Sequence, residues 1–383
     1  MANQFTEVSS QGFLSRLFGS IMGVFLGPVV IIGAIILLSW NEGRAVHAII
    51  GLNAAEKMLV EAQATAPSSA NDGKLVHVVG QASASDTISD SDLNVKFPGQ
   101  VTVARTAQMY QWQEKKDEHS QDDAGGSQTT TTTYTYEHVW SEDPIDSSRF
   151  KHADGHENPA MPFRSSRMSA ADARLGGYAL DADTLGAIDP PQSVTPDAPE
   201  GWQKSGDRLV KGDPAAPKVG DLRVSYRELP SGSTISVLAA QSGGGFATFT
   251  APNGYTIHMA SAGNHPATEM IAQQRSTESL ITWILRGVGF VVMWIGFSML
   301  LGPLATFASI VPFLGSIVRG AAAFVSFVIA VPLTLIVIAI AWIAFRPLLG
   351  GGLLVLAAAA FYALWHWHKS RTPNHGLPSP AKA

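Results

Sequence analysis

The sequence predicts an α+β membrane protein: four transmembrane helices, one near the N-terminus and three near the C-terminus, with a large β-rich extramembrane domain inserted between the first and second. Three observations predict this. Residues 1–40 and 287–367 are strongly apolar, whereas residues 41–286 have the mixed composition of a water-soluble protein. The uncharged run 21–40 has about the 20 residues that a helix needs to cross a ~30 Å hydrocarbon core. The inserted region carries alternating apolar and polar positions bounded by Gly, Pro, Asn and Asp, the mark of strands.

In chain order, residues 1–20 read as a cytoplasmic tail and 21–40 as the first span. Trp40, Asn41, Glu42, Gly43 and Arg44 follow it. A cleaved signal peptide would be shorter and end in small residues, so this segment reads as a retained helix that stops at the interface. Residues 44–63 continue as a helix, and the run from Pro67 to Gly73 breaks it. Residues 75–79 form a short strand ending at Gly80. Residues 101–112 and 129–140 alternate in matched fashion around a Gly-, Asp- and Gln-rich link, which predicts a long antiparallel hairpin with a disordered tip. The threonine run 129–133 favours a strand at a sheet edge. Residues 170–185 read as helical. Further strands are expected at 222–226, 234–240, 246–250 and 255–259, and a helix over 264–286 runs into the second span.

The C-terminal region 287–367 reads as a bundle of three spans separated by Arg319 and Arg346. Its first uncharged run is too long for one straight helix. Pro303, Pro312 and Gly315 end it near residue 305 and leave a short re-entrant or interfacial piece near 303–318. Pro332 kinks the second run, and residues 368–383 form a second cytoplasmic tail. Arg16, Arg319, Lys369, Arg371 and Lys382 put both termini in the cytoplasm by the positive-inside rule, and residues 41–286 on the other side.

Composition excludes several classes. The net charge is −5, with no basic face and no block of like charge, so nucleic acid is not an expected partner. There is no cysteine, which removes disulfides, thiolate zinc, iron–sulfur clusters and cysteine nucleophiles. His152, Asp154, His156 and Glu157 are the best metal-like cluster. They lack a standard spacing and sit among Gly155 and Pro159, so a polar turn without metal is expected. His119, Asp122 and Asp123 read as a solvated loop. Residues 243–245 are three glycines without the Lys and Ser/Thr of a phosphate loop, and read as a tight turn. No serine stands in a nucleophile elbow. No catalytic residue and no cofactor is expected.

Glu42 and Arg346 are isolated charges at the edges of long apolar runs, on the same side of the membrane. An unpaired charge at such a depth is costly, and a guanidinium can hold a carboxylate at two points. A Glu42–Arg346 pair docking the first span on the C-terminal bundle is the expectation.

Several segments together resemble the transmembrane protein 43 family, also called LUMA. Gly12, Phe13 and Leu14 with Arg16 and Leu17 carry the likeness first, then Asn41, Glu42, Gly43, Arg44 and Ala45. Leu75, Val76, His77 and Gly80 follow, then Met109, Tyr110, Gln111 and Trp112, and Tyr134, Tyr136 and Trp140. Gly155, His156, Asn158 and Pro159 continue the series, with residues 219–225, which include Asp221 and Arg223, and residues 345–348. The motifs keep the family's order over nearly the whole chain; residues 114–133 and 163–215 match poorly. The resemblance implies a membrane organiser rather than an enzyme, one that self-associates and holds complexes at a membrane. In animals it implies the endoplasmic reticulum and inner nuclear membrane. The Ala-, Gly- and Asp-rich composition points to a bacterial member, with the domain in the periplasm and the helices in the inner membrane. The expected partners are the lipid bilayer, further copies of the chain and a membrane protein of unknown identity. The competing functions are a channel or transporter subunit built from the C-terminal helices, and a ligand sensor. The spans carry no internal acid or base, which disfavours proton-coupled transport.

Overall fold

The computed structural model describes residues 3–345. The principal elements are β1 (Gln4–Gln11), α1 (Phe13–Met58), β2 (Leu75–Ser83), β3 (Gln100–Asp122), β4 (Gln128–Ser141), β5 (Leu222–Pro230), β6 (Thr234–Ser242), β7 (Met259–Ala262), α2 (Ala267–Ala308) and α3 (Pro312–Phe345). Shorter strands fill in the sheets. The chain divides into two compact units. One holds the N-terminal strand and first helical turn, residues His47–Glu278 and the turn Thr306–Ser316; the other holds Phe18–Val46, Ser279–Ala305 and the chain from Ile317 onward.

The first unit is built on two sheets. The eight-stranded sheet runs β1–β4–β3–β5, followed by Arg208–Lys211 and Gln203–Ser205, with two further short strands on β3 and β5. The seven-stranded sheet runs from β7 through β6, Gly245–Ala247, Tyr178–Ala179, Arg174–Leu175 and β2 to Val60–Gln63, and β6 also pairs with β2. Val101, Val103 and Ala107 of β3, with Val224 and Tyr226 of β5, meet Val76, Val78, Ile235 and Val237 of the other sheet in one core. Period-two alternation puts these residues on the inner face. Strand β6 is different: every residue from Ile235 to Gln241 is buried, so both of its faces are covered. Its second face, with Leu238 and Ala240, packs on Leu52 and Ala55 of α1 and on Ala267, Met270 and Ile271 of α2. Gly51 gives α1 room there, since a Cβ would lie 2.3 Å from Tyr255 Cβ.

A charge is buried inside this sandwich. Arg105, 4 % exposed, donates to Asp90 Oδ1 at 2.5 Å, to Asp92 Oδ2 at 2.7 Å and to the Arg164 carbonyl at 2.7 Å. Tyr226 Oη donates to Asp90 Oδ2 at 2.7 Å. Burial, then the hydrogen bond to the Asp90 carboxylate, pushes the Tyr226 phenol well above its ordinary pKa.

Among the described residues, the second unit contains three apolar helical stretches, each from a helix long and apolar enough to cross a membrane. Ala34, Leu38, Met293, Ala330 and Val337 form its core. Glycines set a close crossing of α1 and α2. A Cβ on Gly27 would stand 2.9 Å from the Gly296 carbonyl, and one on Gly296 would stand 2.6 Å from Ile31 Cγ1. Small residues let helix backbones approach in this way where lipid gives no hydrophobic drive. Trp294 Nε1 donates to the Ala323 carbonyl at 2.8 Å, tying α2 to α3.

Most expected elements stand where the sequence places them, with these differences. The helix expected over 44–63 ends at Met58, and Val60–Gln63 is a strand. The hairpin strands continue to Asp122 and Gln128, and the tip is a short anchored turn, not a disordered loop. The threonine run is not at an edge, because β1 pairs with it in register from Gln4↔Thr135 to Gln11↔Gln128. Residues 4–11, read as part of a tail, are that strand. Residues 170–185 hold two short strands and the start of a single short helix, Ala182–Ala187. Helix α2 passes through Pro303 to Ala308 before the turn into α3. The expected fourth span at 347–367 and the tail 368–383 lie outside the described residues.

Replacing Arg105 with Met leaves Asp90 charged and buried, 2 % exposed, without its cation. Loss of one partner of a buried pair costs about 3–5 kcal/mol. We expect a matching fall in unfolding free energy in detergent, measured by denaturant titration; an unchanged midpoint would refute the role assigned to the pair.

Candidate functional sites

Two groups of side chains have the geometry of interaction sites, and they take up most of the residues of the sequence motifs.

The first lies in the helical unit. Glu42 is 2 % exposed. Arg286 Nε donates to its Oε1 at 2.6 Å and Nη2 to its Oε2 at 2.8 Å, a two-point pair. Trp342 Nε1 donates to Oε2 at 2.7 Å. The Arg286 guanidinium also stands 4.7 Å from the centre of the Trp283 ring and 5.9 Å from that of Trp342. The neighbouring motif residues close the group. Asn41 Nδ2 donates to the Thr282 carbonyl and Arg44 Nη2 to the Thr282 hydroxyl, both at 3.1 Å. A Cβ on Gly43 would lie 2.8 Å from the Phe345 ring, so Gly43 is the opening for that ring. One carboxylate thereby joins α1, α2 and α3. Arg346, the partner expected from the sequence, lies outside the described residues. The sequence does not single out Arg286, one more charge at the rim of an apolar run, because it sets such a residue's depth and not its azimuth.

The second group lies on β3, β4 and β5. Register puts Tyr110 opposite Trp140, Trp112 opposite His138 and Gln108 opposite Arg223. His138 stacks on Tyr110 with centroids 5.1 Å apart and lies 3.6 Å from Trp112. Trp140 lies 5.1 Å from Tyr110, and the Arg223 guanidinium sits 4.5 Å over the Trp140 ring. Arg223 Nε donates to Gln108 Oε1 at 2.6 Å. Burial, then the nearby Arg208, lowers the pKa of Arg223. Burial, then the neighbouring His156, lowers that of His138. Asp221 secures the start of this pairing: its carboxylate accepts from the Lys218 amide at 2.7 Å, and its carbonyl accepts from the Tyr110 amide at 2.8 Å.

The segment 145–163 closes over the adjoining part of this face. His156, 1 % exposed, donates from Nδ1 to the His152 carbonyl at 3.1 Å and stacks on Tyr136 at 4.0 Å. Tyr136 Oη donates to Glu114 Oε2 and accepts from the His152 amide. Burial, then the Glu114 carboxylate, pushes this phenol up to about 12. Asn158 holds the Trp112 backbone from both sides, accepting from its amide and donating to its carbonyl. His152, Asp154, His156 and Glu157 stand in a loop, and no group of three His or acidic side chains with metal-holding geometry occurs among the described residues.

His77, the remaining motif residue, is buried where α2 leaves the sandwich. Its Nδ1 lies 2.7 Å from Glu61 Oε2, and its Nε2 lies 2.9 Å from the His265 carbonyl. His265 in turn has Nδ1 3.0 Å from Glu269 Oε1 and Nε2 3.0 Å from the Ala262 carbonyl. The hydrogen bond to Glu269, then that to Ala262, raises the pKa of His265.

Taken together, these are the parts of a membrane-embedded helical unit joined to a β-sandwich: an integral membrane protein whose distinctive side chains hold helices together and surface a sheet. The family model for Transmembrane protein 43 matches residues 109–347. Transmembrane protein 43 of Homo sapiens is 30 % identical over 366 residues, covering 89 % of each chain. The Mus musculus protein is 29 % identical over 362 residues, covering 90 % of this chain and 89 % of its own. The homologue from Drosophila melanogaster is 28 % identical over 354 residues, covering 87 % of this chain and 93 % of its own. The chain belongs to the transmembrane protein 43 family. No solved structure matches it.

Three outcomes are expected. Glu42→Gln removes the charge that Arg286 is built around and should destabilise the helical unit in detergent by about 3 kcal/mol, the cost of orphaning one member of a buried pair. Arg286→Lys keeps the charge but loses the two-point fork, and should fall between wild type and Glu42→Gln in thermal unfolding. The raised pKa of His265 means that its contribution is full below the ordinary imidazole value of about 6.5 and is lost as pH rises through the raised value. Hydrogen exchange at the amides of residues 263–265, corrected for the intrinsic rate, should therefore quicken with rising pH, and His265→Gln should abolish that dependence.

Proposed function

We propose that the chain is a self-associating membrane scaffold, whose sandwich binds further copies of itself or a membrane protein partner while its helices fix it in the bilayer. The observation that carries this reading is the Tyr110–Trp112–His138–Trp140–Arg223 face. Its rings are half-buried to exposed, preordered by cross-strand stacking, and capped by a partly desolvated guanidinium. Tyr, Trp and Arg in such an arrangement are the residues that dominate binding energy at protein interfaces, because they offer large contact area with little rotamer freedom left to lose. Family membership supports a membrane role of this kind. By the same reading a bacterial member places the scaffold in the inner membrane, and a eukaryotic one in the endoplasmic reticulum and nuclear envelope.

The test is mass measurement of the intact chain in mild detergent. A defined oligomer is expected, and Trp140→Ala combined with Arg223→Ala should shift it toward the monomer with its unfolding midpoint unchanged. A wild-type chain that stays monomeric at every concentration, in detergent and in nanodiscs, would refute self-association through this face.

A further inference from the structure

His77 and His265 meet at the turn that leads from β7 into α2, and each ring has oxygen on both sides. His77, 3 % exposed on β2, has Glu61 Oε2 2.7 Å from Nδ1 and the His265 carbonyl 2.9 Å from Nε2. His265 has Glu269 Oε1 3.0 Å from Nδ1 and the Ala262 carbonyl 3.0 Å from Nε2. A carbonyl or an ionised carboxylate can only accept a hydrogen bond, and a neutral imidazole has a single N–H to give. Four bonds to four such oxygens therefore require each ring to hold both of its ring protons. The rings stand in series, because the backbone oxygen that receives His77 belongs to His265. The same turn is pinned to β6 by groups that do not titrate in this range: the His265 amide donates to Ser236 Oγ at 2.9 Å, and Ser236 Oγ donates to the Gly263 carbonyl at 2.9 Å. The titratable groups facing the pair are Glu61 from the edge strand Val60–Gln63, Glu269 from α2, and His258 across a cavity of about 450 Å³ that opens onto His265 and Glu269. Strand β6, which sets Leu238 opposite His77, carries no charged residue.

We infer that this turn is a proton-held latch: two imidazolium rings in series, each bridging a carboxylate and a backbone carbonyl, fasten the start of α2 to the sandwich, and the latch loosens as pH rises. Removing a proton from either ring sets a nitrogen lone pair against an oxygen lone pair at hydrogen-bond distance, so that ring has to swing away from one of its partners. The raised pKa of His265, caused first by the hydrogen bond to Glu269 and then by that to Ala262, agrees with this sense. A raised group contributes fully below the ordinary imidazole value of about 6.5, and its contribution is lost as pH climbs through the raised value. Water in the cavity gives protons a path to His265. Behind the latch, Ala267, Met270 and Ile271 of α2 pack on Leu52 and Leu238, so loosening the turn uncovers the edge of that cluster first. Histidine suits such a device because its charge changes within the range over which cellular compartments differ.

The chain has no cysteine, so a single introduced thiol can be read without background. Ala267→Cys places one behind the latch, at a site 3 % exposed, and Ala107→Cys places a reference in the sandwich core, at a site 0 % exposed. Each full-length chain is reacted with a maleimide in nanodiscs across the imidazole range. Dividing the rate at position 267 by that at position 107 removes the pH dependence of the thiolate and of global unfolding. The ratio should rise with pH by about tenfold, the effect on a local opening equilibrium of losing one charge-assisted hydrogen bond. Glu61→Gln with Glu269→Gln alters only exposed side chains, 69 % and 60 % accessible. A glutamine amide can donate to the nitrogen that a neutral ring leaves bare, so both rings keep their partners without the second proton. In that background the ratio should stay level over the same range. A wild-type ratio that does not change with pH overturns the inference, and so does a rise that is as steep in the Glu61→Gln, Glu269→Gln chain.

Discussion

Strand β3 is the constraint on which the first unit depends. It runs for 23 residues without a break. Its first half gives Val101, Val103, Ala107 and Met109 to the interior of the sandwich, and its last residue is Asp122. Strand β4 follows it for fourteen register pairs, and β5 follows it from the other side. Because side chains alternate strictly along a strand, fixing the inner face at Val101 fixes the outer face at Tyr110 and Trp112. The aromatic face is thus set by the core's demand for apolar residues, and Asp221 and Asn158 only secure it locally.

Among the described residues, three arginines are largely withdrawn from solvent against carboxylates, and each performs the same physical task in a different place. Arg105 joins Asp90 and Asp92 inside the sandwich, Arg286 joins Glu42 among the helices, and Arg16 joins Asp122 at the hairpin tip. Ion pairs of this kind add little net stability over apolar substitutes, because both charges must be stripped of water. What they add is discrimination. An alternative packing that separates the pair leaves a bare charge in a poorly solvated place. The planar fork of the guanidinium makes the penalty directional as well, since two bonds form only in one orientation.

Much of this was legible from the sequence. The apolar runs announced α1, α2 and α3, and matched alternation announced the β3–β4 hairpin and most of the sheets. What failed did so for identifiable reasons. Strand β1 is short, polar and partnered by threonines, so it has none of the hydrophobic signal that marks a strand; only the high β propensity of 129–133 hinted that a neighbour was wanted. The tip looks disordered because its residues are small and polar, yet its order comes from Arg16, more than a hundred positions away. Residues 163–215 form two- to four-residue strands that pair with distant segments, too short to show a period. The motifs of the second site stand apart along the chain. Their convergence on one face rests on a register shared by β3, β4 and β5, which no single segment encodes.

The hairpin is held at both ends, and this bears on how its length can drift through evolution. An open hairpin sheds or gains residues at its turn freely, since the loop absorbs them. Here the turn is seated against Arg16 while the opposite end is locked into the sandwich. A single-residue deletion in β3 would bring every later side chain to the wrong face. A matched deletion on both strands would keep the faces but pull Asp122 away from its cation by about 3.4 Å for each residue lost. Length change in this ribbon therefore has to come in matched pairs, and each pair has to be answered by a shift in where β1 hands over to α1.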